Sequence, residues 1–166
     1  TCLYEPYEYI GDKPGYACTA TLINVTLNAL QVTVVNGISA ENLKANRVRF
    51  SHTVSTEHNC RMLQSVPQRL EIFFPNMDVL SLLSCGTNKL NENDLAKYTK
   101  LRRLDIVSSY IEYVPRNFFA HTPNMEKINF NSNRIQSVGF GLLNNLKFLN
   151  EAVFFGEKCI SKTWYL

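Results

Sequence analysis

A fixed step of 24 residues runs through the second half of the chain. Apolar segments begin at Met77, Leu101, Met125 and Leu149, each 24 residues after the last. The fourth position of each is Leu80, Leu104, Ile128 and Ala152, and the sixth is Leu82, Ile106, Phe130 and Phe154. The fourteenth is Leu90, Val114 and Val138, and the nineteenth is Leu95, Phe119 and Leu143. Self-similarity at such a period is the mark of a repeat architecture. One unit cannot bury both of its own faces, whereas stacked units share a continuous interior and touch only their neighbours. Alternation at positions 4 and 6 predicts a short strand with those two side chains inward. Strands at the same position in successive units then pair in parallel. Position 11 (Ile111, Ile135, Cys159) and position 14 are expected inside. The return through positions 15 to 24 carries Pro115, Pro123 and many Asn, so it reads as loop, 3₁₀ or one short helix.

An earlier turn of the same coil is visible. Val66-Pro67 recurs as Val114-Pro115, and Phe74-Pro75-Asn76-Met77 recurs as Thr122-Pro123-Asn124-Met125, both two periods on. Val48 and Phe50 are expected to be that turn's strand pair. The turn is eight residues too long, and the polar stretch His52 to Asn59 reads as a loop inserted on the edge of the coil. Upstream, Thr19 to Val35 alternates in places and reads as one or two strands of a terminal cap, ended by Gly37. The expected organisation is one domain: a cap over 1–44, repeats over 45–76, 77–100, 101–124 and 125–148, and a last partial repeat with a C-terminal cap over 149–166.

Five cysteines bear on the compartment: Cys2, Cys18, Cys60, Cys85 and Cys159. Cys2 and Cys18 flank a segment rich in Tyr, Pro and Gly with little apolar periodicity to hold it down. A disulfide between them would close a loop worth roughly 3 kcal/mol in the chain-entropy picture. The alternative is two reduced thiols. The sequon Asn24-Val25-Thr26 points the same way as the disulfide, toward a secreted glycoprotein. Cys85 reads either as a small buried residue or as a bridge to Cys60 one coil away, and Cys159 stays open. The chain begins at Thr1 with neither a charged n-region nor an apolar h-region, and reads as a mature or trimmed product.

Composition excludes several classes. Hydrophobic residues are 45% and charged residues 19%, a globular balance rather than a disordered one. The formal charge of +3 is too small to argue for nucleic acid or an anionic membrane. No apolar run approaches the ~18 residues of a spanning helix.

With these residues in place, the chain resembles the leucine-rich repeat family of extracellular type. Leu101, Leu104, Ile106, Ile111, Val114, Pro115 and Phe119 match its pattern, as do Met125, Ile128, Phe130, Asn133, Ile135, Val138 and Leu143. The resemblance covers about 45 to 160. The layout is also similar to small secreted leucine-rich repeat proteins of insects, on Tyr16-Ala17-Cys18 at the start and Gly156 to Ile160 at the end. The resemblance implies a short right-handed α/β solenoid with a concave parallel sheet, little helix and a disulfide-tied N-terminal β cap. For function it implies recognition of a protein partner, with a role in arthropod innate immunity. The chain departs from the family at position 9. An Asn or Cys is usual there, and here it is Cys85, Ser109, Asn133 and Glu157, so the polar ladder is expected to be thin.

Positions 3, 5 and 7 point away from the core and form the expected binding face: Val79, Ser81, Leu83; Arg103, Asp105, Val107; Lys127, Asn129, Asn131; Glu151, Val153, Phe155. The strongest partner-binding candidates are Leu83, Arg103, Asp105, Val107, Lys127, Asn129, Asn131, Val153 and Phe155. This mix of charge, amide and aliphatic suits a protein ligand, and it lacks the basic stripe an anionic polymer would want. A face without any ligand is the plain alternative. The C-terminal end carries Phe154, Phe155, Trp164, Tyr165 and Leu166. It reads either as a cap folded over the last coil or as an apolar patch that forms a homodimer or heterodimer, with Phe154, Trp164 and Tyr165 as contacts. The second option makes a structural or self-assembling secreted component the rival function.

Catalytic signatures are absent from the sequence. His52, His58 and Cys60 match no zinc spacing, and a solvated loop is the better reading. His121 lacks a nucleophile and an orienting partner. No G-x-S-x-G, H-E-x-x-H, C-x-x-C or phosphate loop occurs. We therefore expect no enzyme, no cofactor and no metal.

Overall fold

The computed structural model describes residues 2–7, 15–20, 43–51, 60, 63–155 and 161–165, with residues 2, 3, 7, 20 and 161–165 placed by backbone alone. The strands are β1 (Cys2–Tyr7), β2 (Gly15–Ala20), β3 (Arg47–Ser51), β4 (Val79–Leu83), β5 (Arg103–Val107), β6 (Tyr113–Val114), β7 (Lys127–Asn129), β8 (Ser137–Val138), β9 (Glu151–Phe155) and β10 (Ser161–Tyr165). A helical turn, Leu70–Phe73, sits in the longer first return, and Leu43 and Lys44 are also helical.

Eight of these strands form one sheet in the order β1-β2-β3-β4-β5-β7-β9-β10. The run from β2 to β9 is parallel throughout, and only the two ends are antiparallel. Its register follows the repeat. Cys18, Val48, Leu80, Leu104, Ile128 and Ala152 lie side by side on successive strands, all at 0% exposure. Phe50, Leu82, Ile106, Phe130 and Phe154 follow on the same inner face, all buried. Phe130 meets Phe154 edge-on at 5.5 Å between ring centroids and stacks on Phe119 at 6.3 Å.

Backbone geometry repeats with the side chains. The carbonyls of Asn46, Asp78, Arg102 and Glu126 each accept two N–H groups from the start of the next strand, at 2.7–3.2 Å. Behind each of β4, β5 and β7 a serine takes left-handed backbone: Ser84, Ser108 and Ser132, with φ of 57°, 52° and 57°. Those turns send the chain off the sheet and into the core at Ile111 and Ile135, both buried. The returns run through three-residue turns, such as Tyr98 N–H to Leu95 and Thr122 N–H to Phe119. This is 3₁₀-type bonding, suited to a short tight path. Asn76, Lys100 and Asn124 lace the returns together by donating to carbonyls one coil earlier, those of Leu43, Pro75 and Thr99.

Several expectations need correction here. A cap strand runs over Gly15–Ala20 and takes in Thr19 and Ala20; the rest of the segment expected to hold cap strands, 21–35, lies outside the described residues. The Tyr-rich opening is described at 2–7 and 15–20, on either side of 8–14. Its two described stretches pair antiparallel as β1 and β2, and Tyr4 and Tyr16 stack at 6.1 Å and pack on the core. Val138 is not inside: it is 37% exposed, against 0% for Val114. Val114 is covered by the next coil, whereas the residues one step beyond Val138 are used in β10. That strand pairs antiparallel on β9, closing the sheet edge that the sequence left open. The loop at 52–59 is outside the described residues.

Candidate functional site

The outer face of the sheet is built by the alternate residues of β3 to β9. Register stacks Arg47, Val79, Arg103, Lys127 and Glu151 in one column, and Arg49, Ser81, Asp105, Asn129 and Val153 in another. The face is not uniform. Around Asp105 it is closed: Arg47, Val79, Ser81, Arg103 and Asp105 are all buried, whereas Arg49, Leu83 and Val107 on the same three strands are half-buried. This corrects the expectation that Arg103 and Asp105 stand open to a ligand. Asp105 accepts from Arg103 Nε at 2.9 Å and from Ser81 Oγ at 2.8 Å, and lies 3.5 Å from Arg47 Nη2. Arg47 also donates to Ser81 Oγ at 3.3 Å. A charged carboxylate that far from water requires such partners.

Sequence reasoning missed Arg47. Its signal was present, since an arginine one residue before Val48 falls in the third-position column once the long first turn is allowed for.

At the ends of β4 and β5, and over β7 and β9, the face opens. Leu83, Val107, Lys127, Asn129, Asn131, Glu151 and Val153 are half-buried, and Phe155 is 45% exposed. Beyond the strand ends, Tyr110 is exposed with the Arg134 guanidinium 4.7 Å from its ring centroid, a cation–π contact between adjacent coils. At the opposite end of the strands Arg102 makes a two-pronged bond to Glu126, at 2.7 and 2.6 Å, and lies 3.5 Å from Asp78. Hydrogen bonding to Glu126 raises the Arg102 pKa, while burial pushes the Asp78 carboxyl up in spite of Arg102.

The cysteines divide as follows. Cys60 and Cys85 are bridged, which decides between the two readings of Cys85 and removes Cys60 from any thiolate metal site. Cys18 is disulfide-bonded, and Cys2 is set by register opposite Ala20, two residues from Cys18; the Cys2 side chain is outside the described residues. His52, His58, Cys159 and Asn24 are also outside them. Among the described residues no cluster of three or more His, Cys, Asp or Glu is placed to hold a metal ion. His121 is exposed on the return. Phe154, expected as an oligomer contact, is 3% exposed and packs edge-on against Phe130. Trp164 and Tyr165 lie in β10 opposite Ala152 and Glu151, with their side chains undescribed.

Residues 99–156 match the family described as Leucine rich repeat. The fold is a repeat solenoid. Domains of this kind generally mediate protein–protein binding and are typically non-catalytic. No curated protein matches the chain. Among the described residues no helix is long and apolar enough to cross a membrane.

Proposed function

We propose that this chain is a secreted, non-catalytic binding module of the extracellular leucine-rich repeat type. Its partner is a protein, bound on the C-terminal half of the concave face. The observation that carries this reading is the split in that face. The part around Asp105 is locked by the Arg47–Ser81–Arg103–Asp105 network, and the rest, from the end of β5 across β7 and β9, presents Val107, Lys127, Asn129, Asn131, Val153 and Phe155 at partial or full exposure. Aliphatic and amide groups on a preformed surface bind with little ordering cost. The original candidate set is thereby narrowed, with Arg103 and Asp105 positioning the sheet rather than touching a ligand.

Secretion is supported by the Cys60–Cys85 bridge, by the bonded state of Cys18 and by the Asn24 sequon. Cys2 is the partner we assign to Cys18. The role in arthropod defence rests on resemblance alone.

The test is photo-crosslinking from Asn129 in native extracellular fluid. A protein captured from that position, and lost with Val107→Glu and Asn131→Arg but retained with His121→Ala, is the expected outcome. Capture indifferent to both face variants would remove the assignment.

A further inference from the structure

Between the returns of the repeats at 101–124 and 125–148 lies a cleft of about 190 Å³ that the concave-face reading does not use. Its mouth is polar: Arg116 and Asn117 stand on one coil, Asn144 and Asn145 on the next, all four exposed. Among the described residues no protein group pairs with any of these four side chains. The buried part of the lining is apolar and includes Phe119 and Leu146, and Phe140 beside them is 86% exposed. Local sequence makes the opening. Gly141 stands 24 residues after Asn117 and has no side chain to fill that step. Its φ is +72°, and a Cβ there would lie 3.1 Å from Asn144 Nδ2. In the repeat before, the corresponding return uses its polar groups internally, with Asp94 accepting from the Asn91 N–H at 2.8 Å. One and two coils later that aspartate is Phe118 and Leu142, so the polar groups beside them keep their bonding capacity. Charge is one-sided as well. Residues 113–150 hold Arg116, Lys127, Arg134 and Lys147 against a single carboxylate, Glu126, which Arg102 already binds.

We propose that this cleft holds one sugar residue carrying a carboxylate. The planar guanidinium of Arg116 matches a carboxylate with two parallel N–H donors. One cation among neutral amides balances one negative charge, whereas a phosphate group would bring nearly two. Each Asn amide offers a donor and an acceptor together, which is what a hydroxyl group requires. The Phe140 ring has an electron-rich face, against which the C–H side of a sugar ring packs. A polar rim over a small apolar floor thus fits a ligand with one apolar side and several hydroxyl groups.

The probe is glucuronate, titrated into the full, isotope-labelled chain and read by NMR, with glucose and acetate at the same ionic strength for comparison. Saturable shifts are expected at the Gly141 backbone amide and at the side-chain amides of Asn117, Asn144 and Asn145, with none at Asn129 on the concave face. Glucose should bind about tenfold more weakly, and Arg116→Gln and Phe140→Ala should each weaken glucuronate by about tenfold. Both positions are exposed, and an unchanged urea midpoint shows that each variant folds. Absence of saturable shifts at ~100 mM glucuronate overturns the proposal, as does parent-like affinity in either folded variant or in glucose. Shifts that acetate reproduces at the same affinity overturn it too, because the cleft would then hold a carboxylate alone, such as a peptide side chain. A methyl glucuronoside that binds as tightly as the free acid assigns the ligand to the end of a glycan, and binding of the free acid only assigns it to a soluble sugar acid.

Discussion

Asn133 does the work that several residues share in a thicker ladder. Its Oδ1 accepts from Ile111 N–H at 3.1 Å, and its Nδ2 donates to Ile106 at 2.7 Å and Phe130 at 3.0 Å. It thus ties its own turn to the coil before. At the same step Ser109 reaches only Val107, at 3.4 Å, and Cys85 is joined covalently to Cys60. Asn133→Ala strands a buried N–H and two buried carbonyls, so it should cost about 2–3 kcal/mol in urea unfolding. Asn133→Asp should cost no less, because it keeps the acceptor and loses the donor. Tyr98 is a second buried anchor, its hydroxyl donating to the Pro67 carbonyl. Burial raises its pKa above the usual phenol value of about 10. The protonated form is therefore favoured in the fold, and its contribution is complete below about pH 10 and lost as pH rises beyond it. Tyr98→Phe should lose about 1 kcal/mol at neutral pH and show a shallower alkaline decline in urea midpoint than the parent.

At the scale of elements, coil-to-coil spacing sets what each position tolerates. The strand columns were legible because alternation at positions 4 and 6 recurs with the period, and every inner residue named from it is buried. The return was less legible, since short 3₁₀ turns have no periodic apolar signal. Gly139 stands at the same step as Pro115, and only the packed coils reveal why it is glycine: the backbone of Arg116 occupies the place of a side chain. Gly139→Ala should force β8 away from β6 and cost about 1–3 kcal/mol, with faster hydrogen exchange at the Gly139 amide. An unchanged melting temperature would mean that the coils separate freely there. The opening strand pair was missed for another reason. Its inward residues are Tyr4 and Tyr16, whose aromatic packing compensates for a stretch otherwise poor in aliphatics.

For the whole molecule, the consequential discovery is that its concave face has a sealed part and an open part. Asp105 anchors the sealed part through three strands, joining Arg47 on β3, Ser81 on β4 and Arg103 on β5. Removing it leaves two guanidinium groups facing each other in a poorly hydrated site. Asp105→Ala should therefore cost about 3–5 kcal/mol in denaturant unfolding. Asn129→Arg, on the same face but half-buried, should stay within about 0.5 kcal/mol. Equal stability of the two variants would show that the network carries no structural role.

The amino-acid sequence by itself determined the winding of this chain. A 24-residue period with two inward strand positions has few solutions other than stacked coils, because only neighbours can cover the faces that a single coil leaves bare. It also placed the inner residues, since alternation assigns side chains to faces without reference to anything distant. Tertiary structure alone decided which outward residues meet water. Alternation says that Arg103, Asp105, Lys127 and Asn129 leave the core. It does not say that Asp105 is buried with Arg103 and with partners 24 and 58 residues earlier, Ser81 and Arg47, while Lys127 and Asn129 stay accessible, because burial depends on what packs over a face from elsewhere in the chain. The same holds for the C-terminal end: β10 pairs antiparallel on β9 and closes the sheet edge, an outcome that local pattern cannot express.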